Sequence, residues 1–195
     1  MRAALGPRPY LLGIESVPSQ AAYAREHGAY DEVITGYFPQ VLAVDPAQTF
    51  DLVTFNDVLE HIIDPWATLR ETLTYLNPGG KVIATVPNIR YAPVLWQLLK
   101  GRWDYTDIGT LDRTHVRFFT RATMIEMFEG AGYRVQSCVG ANPVYVEWAG
   151  AKPPPGVFAP KRRIRRIVAS TVGRGASRVL GDAAFLHFIV VASPK

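Results

Sequence analysis

The chain of 195 residues has a single cysteine, Cys138, so no disulfide can form within it. Its stability must come from a packed core, and a reducing, cytoplasmic setting is the expectation. No apolar run approaches the roughly 20 residues that cross a bilayer, and no charged-then-apolar leader opens the chain. Neither a membrane-spanning helix nor a secretory signal is therefore expected. The N-terminal half carries no internal repeat and no low-complexity block. Seven of the 21 basic residues fall between Lys161 and Arg178 with no acid among them. The net charge of +4 is thus a local excess rather than a general one. What is present, 48% hydrophobic and 19% charged residues, suffices for one globular domain spanning 1–195.

The stretch Phe50–Asn88 organises the rest. Leu52 to Phe55 is a short apolar run, and after Asn56 and Asp57 the apolar residues Val58, Leu59, Ile62, Trp66, Leu69, Leu73 and Leu76 recur at helical spacing. Asn77-Pro78-Gly79-Gly80 punctuates, and Lys81 to Val86 is a second β-branched run. Strand, helix, turn and strand make a βαβ unit, whose ligands are expected beyond the carboxyl ends of its strands, at Asn56, Asp57, Pro87 and Asn88.

Upstream, Tyr10 to Ile14 reads as a strand ending in Glu15, Ser19 to His27 as a helix closed by Gly28, and Glu32 to Thr35 as another strand. A carboxylate at such a strand end can accept both hydroxyls of a ribose, or simply face solvent. Downstream, Ile89 to Gly101 reads as helical, with Trp96, Leu98 and Leu99 expected against the core or a substrate. Trp103 to Asp112 is a turn-rich loop placed to act as a lid. Thr120 caps a helix from Arg121 to Glu129, and Tyr133 to Val139 and Ala184 to Ala192 read as strands lying side by side at the sheet edge. Between them, 140–183 reads as a Pro/Arg-rich insertion: Pro153-Pro154-Pro155 is extended, and Ile164, Ile167, Val168, Thr171 and Val172 oppose the arginines at helical spacing.

Together Glu15, FDLVTFNDVLEHIIDP (Phe50–Pro65), LNPGGKVIATVPN (Leu76–Asn88) and THVRFFT (Thr114–Thr120) with the helix after it resemble a class I S-adenosylmethionine-dependent methyltransferase, within the group that includes ubiquinone-biosynthesis O-methyltransferases. The resemblance covers roughly Tyr10 to Val139 plus the last strand. It implies an α/β, Rossmann-like fold with a mostly parallel sheet and an antiparallel edge strand. It also implies S-adenosylmethionine as cofactor, held by Glu15 at the ribose and by Asn56 and Asp57 near the methyl group. Tyr37 stands near the family's adenine-facing acid and can stack on adenine or belong to the core or surface.

The family's central first strand and its glycine-rich GxGxG loop do not precede Glu15, where only fourteen residues stand. The fold is therefore expected to be truncated at the N-terminus. Three explanations are open: a start further upstream, a sheet that closes up or borrows a strand from a second copy in a homodimer, or a degenerate relative. Met1 to Leu5, which reads as the tail of a helix, favours the first.

Asp57, Glu60 and His61 are spaced i, i+3, i+4, and on a first helical turn they would share one face. With His115 they form a candidate oxygen/nitrogen site for a divalent cation such as Mg, against the alternative of acids that merely favour a helix N-terminus. His115 is a candidate general base, or a structural histidine of the lid, and Asp57 a second candidate for catalysis. The expected function is methyl transfer to an oxygen of a small-molecule or lipid-linked substrate. The alternative is a non-catalytic methyltransferase-like binding or assembly protein. The basic segment 161–178 is a candidate for peripheral contact with an anionic membrane, or a solvated helix face. Nucleic acid is not expected, since no aromatics interleave with the arginines.

Overall fold

The computed structural model describes residues 9–42, 48–143 and 179–195. The expectations for Met1–Leu5 and for most of the Pro/Arg-rich insertion lie outside the described residues. Among the described residues six strands and four α-helices follow in order: β1 (Leu12–Glu15), α1 (Pro18–His27), β2 (Glu32–Thr35), β3 (Phe50–Asn56), α2 (Pro65–Thr72), β4 (Leu76–Pro87), α3 (Ala92–Leu99), α4 (Arg121–Gly130), β5 (Tyr133–Pro143) and β6 (Phe185–Pro194). β1 and β2 pair in parallel as a two-stranded sheet, and a four-stranded sheet has the order β3-β4-β6-β5. β3 and β4 are parallel, and β6 runs antiparallel to both of its neighbours. The architecture is the mixed, mostly parallel α/β sheet expected. Its antiparallel strand lies one place in from the edge, because β6 returns between β4 and β5.

The core explains these elements. Phe55, Val82, Ala84, Val86, Phe188 and Val190 point from one sheet face onto Leu69 of α2 and Met124, Met127 and Phe128 of α4, all buried. The alternate residues Thr54, Ile83, Thr85, Ile189 and Val191 are only half-buried on the other face, as period-two strands require. α4 begins as expected at Thr120, whose hydroxyl accepts from Thr123 N–H while the Thr123 hydroxyl accepts from Thr120 N–H. Gly140 leaves room for the Phe185 ring, which a Cβ there would meet at 2.3 Å. The β5–β6 ladder runs on to Pro143 opposite Phe185, so the first residues assigned to the insertion are strand.

Three expectations are corrected. The helix anticipated from Val58 onward does not form there. Asp57 has a left-handed φ of 51°, Leu59–His61 is a 3₁₀ turn, and α2 starts only at Pro65. Proline suits a first helical position, and it pushes the preceding residue out of helical conformation. Asp64 accordingly lies outside the helical region, at φ −124° and ψ 78°, and its carboxylate caps Ala67 N–H at 2.9 Å.

Of the two places expected for Trp96, Leu98 and Leu99, the core is excluded, since all three are exposed. The buried side of α3 is instead Val94, which forms a second small core with Tyr91 and Leu111. Asn88, anticipated as a ligand at a strand end, is a fully buried staple. Its amide donates to the Asp182 and Phe185 carbonyls, both at 2.9 Å, and accepts from Arg90 N–H at 3.0 Å.

Candidate functional site

β3 and β4 end on one rim, and β1 and β2 end together in a sheet of their own. Glu15 closes β1, half-buried, with Oε1 accepting from Val17 N–H at 2.9 Å across the turn into α1. Tyr37 follows β2 and is 72% exposed, so it has no part in the core. Asn56 ends β3 and is exposed. Asp57 continues the ladder by one bond, its N–H donating to Thr85 at 3.1 Å. Among the described residues no hydrogen bond or ion pair joins Glu15 or Tyr37 to Asn56 or Asp57. Each stands at the end of its own strand.

Because β6 is antiparallel, its first residues come to the same rim as the last residues of β3 and β4. His187 faces Pro87 across the ladder. Its Nε2 lies 3.6 Å from Asp57 Oδ1, and its Nδ1 lies 3.2 Å from Asn142 Nδ2. Neither His187 nor Asn142 was singled out from the sequence. A histidine inside an apolar run carries no spacing signal, and only the strand order shows where it ends up.

The second cluster forms where the loop before α4 docks on the Leu59–His61 turn. Val116 and Arg117 N–H both donate to the Glu60 carbonyl, at 2.9 and 3.0 Å. The Arg117 guanidinium donates to the Ile63 carbonyl and stacks over the Trp66 ring at 5.6 Å. These contacts bring His115 beside Glu60 and His61: one ligand atom from each of the three lies within 4.8 Å of the others, and the two imidazoles meet edge to face at 4.7 Å. Asp57 is not in this group. With no helical turn to align them, its side chain goes to His187 instead, which corrects the four-residue grouping expected from the spacing.

Glu60 sets the electrostatics of the cluster. It is 1% exposed, and neither carboxyl oxygen has a hydrogen-bond partner among the described residues. Burial, helped by the nearby Asp57 charge, pushes its pKa up to about 8. Burial likewise lowers the pKa of His115, against the pull of the Thr110 carbonyl 3.0 Å from its Nδ1. Both shifts favour neutral forms. The 3.9 Å contact between His115 Nε2 and Glu60 Oε1 therefore joins a neutral acid to a neutral imidazole at neutral pH. Since Nδ1 of His115 donates to Thr110 and Nδ1 of His61 faces the Thr114 carbonyl at 3.2 Å, each ring keeps Nε2 as its available lone pair.

The profile of a methyltransferase domain family matches residues 4–137. The chain belongs to that methyltransferase family. Its relatives include proteins named ubiquinone biosynthesis O-methyltransferase from Aeromonas salmonicida, 26% identical over 136 residues, and from Psychrobacter arcticus, 28% identical over 134 residues. These matches take in 68% and 67% of this chain but only 57% and 51% of the two relatives, so the chain spans little more than half their length.

Among solved structures, an S-adenosylmethionine-dependent methyltransferase from Archaeoglobus fulgidus superposes with a TM-score of 0.60 at 14% identity, covering 93% of this chain and 74% of that one. The cyclase SpnF superposes at 0.54 and 18% identity, covering 99% and 70%. Likeness at that level shows the shared Rossmann-like fold alone. For this member of the methyltransferase family, the rim of strand ends and the Glu60–His61–His115 cluster are, among the described residues, two places with chemistry to offer. Cys138, buried on β5 with its thiol pushed up chiefly by burial, offers none.

Proposed function

We propose that the chain acts in S-adenosylmethionine-dependent O-methyl transfer to a hydroxyl of a small or lipid-linked molecule. The match to the methyltransferase family over residues 4–137 carries the proposal, and the names of the relatives favour oxygen as the acceptor atom. The rim supports it chemically. Glu15, partly exposed at the end of β1, offers a carboxylate to ribose hydroxyls, and Tyr37 offers an open aromatic face. Asn56 and Asp57 line the path of the methyl group.

The bound cofactor would supply an electrophilic methyl group, whose S–C bond breaks as the O–C bond forms, leaving the electron pair on sulfur. The chain's own residues then have two tasks: hold the acceptor oxygen in line, and receive the proton it sheds. Asp57 is half exposed at the rim and suited to both, with His115 as a second proton acceptor.

The test is calorimetry with S-adenosylmethionine and S-adenosylhomocysteine. Binding with micromolar affinity is expected. Its absence from a folded sample would transfer support to the non-catalytic binding or assembly role.

A second proposal rests on the two unpartnered oxygens of buried Glu60. With the free Nε2 atoms of His61 and His115 they make a two-histidine, one-carboxylate set suited to a divalent first-row cation. Two ligands of one ion lie no farther apart than about twice a 2.1 Å bond, so the 4.8 Å spread need close only slightly. Such an ion would lower the pKa of an acceptor hydroxyl nearby. Titration with Mn²⁺ followed by electron paramagnetic resonance is expected to show one site that Glu60→Gln abolishes. Equal binding by both proteins would remove the cation from the account.

A further inference from the structure

His187 is the imidazole at the rim to which methyl transfer, as proposed, assigns no task. Two side chains meet it, Asp57 at Nε2 and Asn142 at Nδ1. The same two are the non-glycine residues with positive φ among the described residues, both at 51°. Where only a left-handed turn is needed, glycine is the default, and Asp and Asn are the side chains that tolerate the conformation best. Here both positions carry a polar side chain, and both side chains reach one ring from opposite ends. Such conformations concentrate at functional sites, where the surrounding structure holds them in place.

We infer that His187 is a positioning residue for Asp57, with Asn142 setting its tautomer, and that together they aim the Asp57 carboxylate at the hydroxyl of a phenol or enol acceptor. An amide nitrogen only donates. Nδ1 of His187 therefore accepts from Asn142, and the neutral ring carries its proton on Nε2, facing Asp57 Oδ1. The side chain of His187 is 15% exposed and that of Asp57 50%, so the imidazole is fixed inside while the carboxylate keeps an open side for a ligand. Asp57 sits at the carboxyl end of β3, where its own backbone is pinned to Thr85. The identity of the acceptor rests on the methyl-transfer proposal; the orientation of Asp57 by His187 does not.

Two measurements on the full chain separate these points. In protein with nitrogen-15 histidine, two-bond proton–nitrogen correlations report which ring nitrogen carries the proton. The expected wild-type pattern for His187 is Nε2–H. Asn142→Asp, which puts an acceptor where the donor stood, is expected to place a proton on Nδ1, and Asp57→Asn to move the Nε2 signal. A wild-type ring protonated on Nδ1, or one indifferent to both substitutions, overturns the arrangement.

The role is then read with S-adenosylmethionine as donor and catechol as acceptor. His187→Gln keeps an N–H for Asp57 and is expected to hold kcat within about threefold. His187→Leu is expected to lose about tenfold or more in kcat with KM for S-adenosylmethionine unchanged. Equal losses in the two variants overturn the positioning role. A wild type that shows the expected tautomer but does not methylate catechol counts against catechol-type methyl transfer and supports the His187 arrangement on its own.

Discussion

Replacing Glu60 by glutamine tests the electrostatics of the buried cluster directly. The folded protein raises the pKa of this carboxyl from an ordinary 4.5 to about 8, mainly by burial. A raised acid keeps its proton in the folded state while the unfolded chain releases it. The contribution to stability is therefore full below pH 4.5, is lost progressively as pH rises, and stops changing above about 8. One proton corresponds to about 1.4 kcal/mol per pH unit, so the loss accumulated by pH 7 is about 3 kcal/mol and over the whole window about 5 kcal/mol.

Glutamine has the same shape, no titration, and an N–H for His115 Nε2. The variant is expected to match the wild type near pH 4.5 and to exceed it by about 3 kcal/mol at pH 7, which for a chain of this size is about 6–12 °C in Tm. Depression of the His115 pKa adds stability that is lost as pH falls below about 6.5; His115 is present in both proteins, so the difference between them isolates Glu60. Thermal or urea unfolding at pH 5, 6, 7 and 8, with chelator to exclude cations, reads the difference. A gap independent of pH, or a variant less stable than the wild type at pH 8, would refute the reasoning.

Three further outcomes are expected. Tyr133→Phe removes the hydroxyl that donates to the buried Leu69 carbonyl at 2.8 Å, costing about 1–2 kcal/mol in chemical denaturation. Asn88→Ala strips three hydrogen bonds from the junction of β4 with the turn before β6 and should cost about 2–4 kcal/mol, with faster hydrogen exchange at Phe185 and Leu186. Glu15→Ala is expected to weaken S-adenosylhomocysteine binding at least about tenfold in calorimetry, or about 1.4 kcal/mol, while changing stability by less than about 1 kcal/mol, since its contact with Val17 is a single exposed bond.

Much of the fold was legible in the chain because it follows from local pattern. The alternation in β3, β4 and β6, the cap at Thr120 and the placement of Glu15 at a strand end all rest on residues within a few positions of each other. Legibility fails where a distant residue decides. The spacing of Asp57, Glu60 and His61 suggested one helical face, yet Pro65, four residues past His61, postpones the helix and sends Asp57 elsewhere. His115 was recognised as a candidate, but its approach to Glu60 depends on backbone bonds across more than fifty residues. The apolar content of α3 left Trp96 and Leu99 to the core or to a substrate, and only the packing shows that Val94 and Tyr91 take the core positions.

The sequence by itself determined the α/β class, because side-chain periodicity and punctuating residues encode local structure, and its motifs from Glu15 to Thr120 carried the resemblance to a methyltransferase family that the match over residues 4–137 bears out. Only the tertiary structure decided which residues share a site. Antiparallel insertion of β6 carries His187 to the rim beside Asp57, and docking of the loop before α4 removes Glu60 from water. Both depend on register and burial, and neither is written in the spacing of any one segment.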